Sequence, residues 1–271
     1  MVNLDQFYTK DEIVEKCLGI LQIYINYNDY DYILEPSAGI GSFYKKLPIK
    51  KRIGIDLEPK YEGIEKKDYF DYNPVENKQY LVIGNPPFGR ISKLAVKFFN
   101  KSAEFADCIA FILPRTFKRV SIQNKLNLNF KLIYSEDLPL KPCCFIPKMD
   151  AKCCFQIWKK DNKLREIIKY DKKHKDFNFI KHGPKDNKNQ PTPPKGVDFV
   201  IKAYGSNCGE VKEESFDELR PKSWHWIKSN IEIKELIKRF KTLDYSLSKD
   251  TVRQDSLGQQ ELIYLYKCKY N

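Results

Sequence analysis

Leu81-Val82-Ile83-Gly84-Asn85-Pro86-Pro87-Phe88-Gly89 is an apolar run that ends abruptly in a proline-stiffened turn. A short, wholly apolar run bounded by turn residues is the pattern of a strand buried on both faces. Such strands belong to parallel sheets covered by helices. The turn that follows puts three groups at the mouth of the sheet: an amide (Asn85), a rigid backbone carbonyl (Pro86) and an aromatic face (Phe88). Pro86 and Pro87 have a fixed φ and no N–H, so the carbonyl is held in place. Asn85 Oδ1 is an acceptor. An exocyclic amine on an aromatic ring is a poor nucleophile because its lone pair is delocalised. Two acceptors, one on each N–H, draw that nitrogen toward sp³ geometry, and an aromatic face can stack on the ring. Asn85, Pro86, Pro87 and Phe88 are therefore the candidate catalytic set.

Working outward, the same pattern repeats. Tyr30–Leu34 reads as a strand ending at Glu35, and Arg52–Ile55 as a strand ending at Asp56. A weaker segment leads to Asp68-Tyr69-Phe70. Tyr80–Ile83, Cys108–Leu113 and Phe130–Tyr134 are further strands, with helical patterns over 92–105 and 116–128 between them. Cys153–Trp158 reads as a hairpin partner at the sheet edge. Strands alternating with helices predict a mostly parallel α/β sheet with an antiparallel edge strand. Thr9-Lys-Asp-Glu12 has the form of a capping box, with Ile13, Val14, Cys17, Leu18 and Leu21 following at helical spacing. Pro36 to Phe43 reads as a tight turn opening a short helix.

Three regions are expected: a catalytic α/β domain over 1–158, a basic flexible loop over 159–195, and a small C-terminal α+β recognition module over 196–271. The middle region is Lys-rich and contains Pro191-Thr-Pro-Pro194. In the last, strands are expected at 198–204 and 223–227, and helices near 231–242 and 257–267. Trp224 and Trp226, two apart on one strand face, read as core of this module.

The net charge of +12 is unevenly placed. Residues 1–88 hold 11 Lys+Arg against 14 Asp+Glu, 89–195 hold 24 against 10, and 196–271 hold 13 against 12. The basic excess thus begins just after the Asn-Pro-Pro-Phe turn, which suits a phosphate-backbone partner. Of the eight cysteines, Cys143-Cys144 and Cys153-Cys154 are adjacent pairs. Neighbours on a strand face opposite ways, which suits neither a zinc knuckle nor an easy disulfide. They read as reduced, buried small hydrophobes in an intracellular protein, and no metal is expected. No apolar run is long enough to span a membrane, and Met1-Val-Asn-Leu-Asp-Gln6 has no signal-peptide pattern. The sequence carries no signal for an oligomeric state.

Open parallel sheets bind ligands at the carboxyl ends of their strands. Glu35, Asp56, Asp68 and Asn85 fall at such ends, one per strand. Gly39 and Gly41 let a ligand approach the backbone, without the spacing of a dinucleotide or phosphate loop. Taken together, the motifs resemble the class I S-adenosylmethionine-dependent methyltransferases, in particular the gamma-like adenine-N6 DNA methyltransferases. Phe7-Tyr8-Thr9 resembles that family's N-terminal cofactor motif and Glu35-Pro36-Ser37-Ala38-Gly39-Ile-Gly41 its glycine loop. Asp56-Leu57 resembles the ribose acid motif and Asp68-Tyr69-Phe70 the motif beside the cofactor's adenine. Asn85-Pro86-Pro87-Phe88 resembles the catalytic motif.

The resemblance implies S-adenosyl-L-methionine as cofactor, with Asn85 also beside it, and adenine N6 in nucleic acid as the methyl acceptor. DNA is preferred, RNA being the alternative because Phe88 stands where the DNA enzymes more often have Tyr. A protein glutamine amide is a third acceptor, and a non-catalytic nucleic-acid-binding subunit a fourth reading. Phe88, Arg115, Phe117, Lys118 and Arg119 are the candidate substrate contacts, the cations for phosphates and Phe117 for a second stacking surface.

Overall fold

The computed structural model describes residues 6–270. In chain order the strands are β1 (Tyr8–Thr9), β2 (Tyr32–Glu35), β3 (Arg52–Asp56), β4 (Ile64–Lys66), β5 (Tyr80–Gly84), β6 (Cys108–Pro114), β7 (Phe130–Asp137), β8 (Phe145–Ile146), β9 (Cys153–Lys160), β10 (Phe177–Phe179), β11 (Phe199–Lys202), β12 (Val211–Lys212) and β13 (Trp224–Ser229). The α-helices are α1 (Asp11–Tyr24), α2 (Lys93–Ser102), α3 (Val120–Gln123), α4 (Ile233–Lys241) and α5 (Gln259–Tyr270). The chain forms two compact units, 1–167 and 168–271.

The first unit holds a seven-stranded sheet of order β4-β3-β2-β5-β6-β9-β7. All pairs from β4 through β6 are parallel, whereas β9 runs antiparallel to both neighbours. This is a Rossmann-like α/β sheet, as the alternation of strands and helices predicts. The antiparallel strand sits one place in from the edge, between β6 and β7, and its burial agrees. Cys153 to Trp158 are buried without a break, the pattern of a strand covered on both faces, whereas the edge strand β7 alternates from Leu132 onward. The central strands β5 and β6 are buried throughout. Helix α2 covers one face with Ala95, Phe98, Phe99 and Ser102, spaced i, i+3, i+4, i+7. Phe99 and Phe98 join Trp158, Phe111, Phe130 and Tyr80 in the main core.

Several local expectations are corrected. Helix α1 begins at Asp11 with Lys10 at its N-cap and no side-chain cap. Thr9 instead lies in β1, paired with Phe145 of β8, so the capping box is not formed. The helix expected over 116–128 is a 3₁₀ turn (Arg115–Lys118) followed by the four residues of α3. The helix after the glycine loop is a single 3₁₀ turn, Tyr44–Lys46.

The second unit is an antiparallel sheet of order β10-β13-β11-β12 with α4 and α5. Phe177, Phe199, Ile227, Phe240 and Tyr266 form one core cluster, and Val200, Trp224 and Trp226 a second. Both tryptophans are buried, as expected. The loop expected over 159–195 is different: β9 runs on to Lys160, and Phe177–Phe179 is a strand paired with Ser229–Ile227. That segment carries one alternation of Phe either side of Asn178, too short to stand out in a Lys-rich stretch. Asp176 is pinned there by Tyr266 Oη (2.8 Å) and Arg239 (3.2 Å).

Candidate active site

Strand order reverses between β2 and β5, and at such a switch point the loops leave in opposite directions and open a crevice. A cavity of about 380 Å³ lies there. Each strand end feeds it: Pro36 and Ser37 after β2, Asp56, Leu57 and Glu58 at β3, Lys67 to Phe70 after β4, and Asn85 to Gly89 after β5. Phe7 and Tyr8 close one side.

Asn85 is held by its amide nitrogen, which donates to the Phe7 carbonyl at 3.1 Å. A carbonyl only accepts, so this bond fixes which way the amide points. Asn85 Oδ1 is then left buried with no hydrogen-bond partner among the described residues. An orphaned buried acceptor in a cavity wall costs about 1–3 kcal/mol unless a ligand satisfies it. The turn beyond is conformationally strained. Ile91 and Ser92 have φ of 55° and 58°, left-handed values that a β-branched residue adopts at a cost of about 1–3 kcal/mol. Ser92 is anchored by a 2.8 Å bond between its Oγ and Thr116 Oγ1. The turn is thus braced against β6's end while Phe88 lines the cavity.

Asp56 uses both oxygens to organise the opposite wall. Oδ2 accepts from Gly39 N and Oδ1 from Glu58 N, each at 2.7 Å. Gly39 has φ +49°, and a Cβ there would lie 2.7 Å from Tyr8 Cε1, so only glycine lets the loop lie against that ring. Tyr8 Oη and Lys60 Nζ both donate to Gln6 Oε1, and Gln6 Nε2 donates to Glu58 Oε2 at 2.9 Å. The N-terminal segment is thereby tied to the loop after β3. Asp68 caps the turn 69–71 through Phe70 N (2.9 Å). Phe70 presents a half-exposed ring, packed edge-on against Phe98 at 5.1 Å.

The cavity therefore gathers Phe7, Tyr8, Pro36, Ser37, Gly39, Asp56, Leu57, Asp68, Tyr69, Phe70 and all four residues of the Asn85–Phe88 turn. Tyr69 is a support rather than an open contact: its ring is buried and its Oη bonds Ser102 Oγ at 2.7 Å. Thr9, Glu35, Ala38 and Gly41 do not line it. Ala38 packs with Tyr44 and Ile64. Glu35 is buried, and its Oε2 accepts from Tyr44 N at 2.7 Å, so it ties off the glycine loop from behind.

Burial pushes the Glu35 carboxyl well above its ordinary value, against the lowering by the Tyr44 and Phe43 N–H groups. A raised acid pKa means the folded state binds the proton more tightly. This group's contribution to folding stability is therefore fully present below the ordinary Glu range and is lost as pH rises through the folded-state pKa. In Glu35→Gln the part of the pH slope due to this group is expected to vanish. Urea midpoints from about pH 4 to about pH 8 check this, and parallel profiles for the two proteins would refute it.

The expected substrate contacts are placed differently. Phe117 is 0% exposed and sits in the main core. Arg115 donates to the carbonyls of Leu138 (3.2 Å) and Cys153 (3.4 Å) and pairs with Asp137. Lys118 also pairs with Asp137 at 3.2 Å. Neither these residues nor Arg119 line the cavity. The antiparallel β9 starts beside the end of β6, and the carbonyl of its first residue, Cys153, and that of Leu138, just past β7, hold the arginine. The exposed cations that follow Phe88 in the chain are Arg90, Lys93 and Lys97. Sequence reasoning also passed over Leu94, Phe98 and Met149 in the cavity wall. Leu94 and Phe98 share the helical periodicity of a core face, and Met149 arrives on a loop between β8 and β9.

No metal-binding cluster of His, Cys, Asp or Glu occurs among the described residues, and no disulfide pairs their cysteines. No helix among them is long and apolar enough to cross a membrane. No family model matches the chain, and no curated protein is similar to it in sequence. Solved structures do resemble it. One is a Pyrococcus horikoshii protein described as an RNA methyltransferase (17% identity, TM-score 0.43, covering 58% of this chain and 88% of that one). Another is a Listeria monocytogenes protein described as a class I S-adenosylmethionine-dependent methyltransferase (16%, 0.46, 60% and 62%). A third is the 23S rRNA methyltransferase ErmE (12%, 0.43, 58% and 71%). The chain spans less than two thirds of the Listeria protein.

Proposed function

We propose that the protein is an S-adenosylmethionine-dependent methyltransferase acting on adenine N6 in nucleic acid, with DNA preferred. The observation that carries this reading is the fixed, unpartnered acceptor of Asn85 beside the rigid Pro86 and the ring of Phe88. The cavity's other wall suits the cofactor. Asp56 and Glu58 are acceptors for ribose hydroxyls, Asp68 for an adenine amino group, and Phe70 offers a ring face. The Gly39 cradle keeps the backbone clear of a side chain. When bound, S-adenosylmethionine supplies an electrophilic methyl on a cationic sulfur. The chain's own work is at the acceptor. Asn85 Oδ1 takes one N–H of the adenine amine and the Pro86 carbonyl the other, which localises the nitrogen lone pair. Phe88 stacks on the base, which in a duplex has to be extruded. The exposed Arg90, Lys93 and Lys97, which follow Phe88 closely in the chain, take the flanking phosphates in this reading, the role first expected of Arg115, Lys118 and Arg119.

RNA is the second reading, favoured by Phe in place of Tyr at position 88. A tritiated-methyl assay with DNA, RNA and protein pools, followed by digestion to nucleosides, tests all of this. Label in N6-methyldeoxyadenosine is expected. Label confined to protein, or none, would overturn the proposal.

Asp56→Ala is expected to weaken cofactor binding about 10-fold or more. It removes a carboxylate whose charged hydrogen bonds are worth about 1.5–3 kcal/mol and frees the Gly39 loop. Calorimetric titration with S-adenosylmethionine measures this, and an unchanged dissociation constant refutes the ribose role.

A further inference from the structure

The second unit has a cavity of its own, about 420 Å³, walled by β13, by the residues just after β10 and β11, and by the segment leading into α5. Its frame is hydrogen-bonded backbone: Ile180 N to Trp226 O, Ala203 N to Ser223 O and Leu257 N to Ala203 O, each at 2.8 Å. Among the described residues no carboxylate lines it, whereas Lys181 and Lys222 do. Lys212, and Lys202, which also pairs with Glu210 at 3.6 Å, each lie 5.6 Å from the ring of the lining Trp224. Tyr204, also in the wall, is 50% exposed, a large aromatic surface left to solvent beside a cationic rim. His225 is buried, and one ring nitrogen, Nε2, lies 2.8 Å from the Leu257 carbonyl. A carbonyl only accepts, so Nε2 carries the proton and Nδ1 is a bare acceptor. Burial lowers the His225 pKa to about 4, so the neutral tautomer persists at physiological pH.

An aromatic face, paired cations and one fixed acceptor together match a group that is planar, anionic and bears an N–H edge. We propose that this cavity holds one unpaired nucleotide of the nucleic acid, with its base on Tyr204, its phosphate on Lys181 and Lys222, and a base N–H on His225 Nδ1. The proposal rests on the nucleic-acid reading above and adds to it a second binding point, in the C-terminal unit. Stacking on an aromatic side chain is sequence-tolerant, whereas the His225 acceptor favours bases with an N–H donor on the presented edge.

The test is fluorescence anisotropy of the full chain with short single-stranded DNA and RNA oligonucleotides across a salt series. Tyr204→Ala is expected to weaken binding about 5- to 160-fold, the range of one base–aromatic stack. The effect should disappear on an abasic oligonucleotide. Lys181→Ala with Lys222→Ala should flatten the slope of log affinity against log salt by about 0.7, one phosphate contact on a single strand. Tyr204 is exposed, so an unchanged thermal midpoint separates lost binding from lost folding. Wild-type affinity in both variants overturns the proposal, as does an equal Tyr204 effect with and without bases, or a wild-type chain that binds no oligonucleotide. Weakened binding in the variants combined with no methyl transfer by the wild type supports this pocket and overturns the proposed reaction instead. Methyl transfer with variant-insensitive binding does the reverse. Stronger binding in one arm assigns the pocket to DNA or RNA.

Discussion

Asn85→Ala is expected to lower kcat for methyl transfer by about 10²–10³-fold, the effect of deleting one preorganised hydrogen-bonding group aimed at a reacting centre. The cofactor dissociation constant should stay within about threefold of wild type, because Asp56, Asp68 and Phe70 hold their places through bonds that do not involve Asn85. The variant also leaves the Phe7 carbonyl without its 3.1 Å donor, so some stability is lost, about 0.5–1.5 kcal/mol for one hydrogen bond. Asn85→Asp separates the two losses. It keeps an acceptor for the amine but sets a carboxylate oxygen against the Phe7 carbonyl, and an intermediate rate is expected. Single-turnover transfer to an adenine-containing oligonucleotide, with calorimetry of the cofactor alone, measures both quantities. Wild-type turnover in Asn85→Ala would refute the acceptor role. A cofactor affinity that collapses with the rate would move Asn85 from the substrate side to the cofactor side.

What the sequence disclosed, and what it withheld, follows from the range of the forces involved. Strand ends at Glu35, Asp56 and Asn85 were legible because strands buried on both faces must be continuous apolar runs, and where the run stops the ligand face begins. The cavity's polar skeleton was legible for the same reason. The place of β9 was less so: Gln156 interrupts its apolar run, and only the fold shows six consecutive buried residues, which do not belong to an edge. The pairing of β1 with β8 was not legible, since two-residue ladders between distant segments leave no periodicity. Thr9 looked like a helix cap because capping is judged on local sequence, and a distant strand claimed it. Glu35 and Asp56 look alike in sequence. Only the three-dimensional fold decides that one carboxylate turns back under the glycine loop while the other faces the cavity.

Phe117→Ala is the sharpest consequence of that difference between local appearance and tertiary placement. Following a strand end and flanked by Arg115 and Lys118, this phenylalanine has the sequence context of a base-stacking residue. Were it one, truncation would raise KM and leave the fold alone. Its ring is instead fully buried in the core cluster with Phe99, Phe111, Phe130 and Trp158. Truncating a buried phenylalanine costs about 3–5 kcal/mol, the lost transfer energy plus the cavity left behind. Against a typical total of about 5–15 kcal/mol that is a large fraction. The urea midpoint of the variant is expected to fall sharply, or the chain to be recovered unfolded. Phe88→Ala is the counterpart: a half-buried ring in the cavity wall, whose loss should cost activity while the midpoint moves little. Paired denaturation and transfer assays on the two variants should give opposite profiles. A Phe117→Ala protein with a wild-type midpoint and a raised KM would return that residue to the substrate surface.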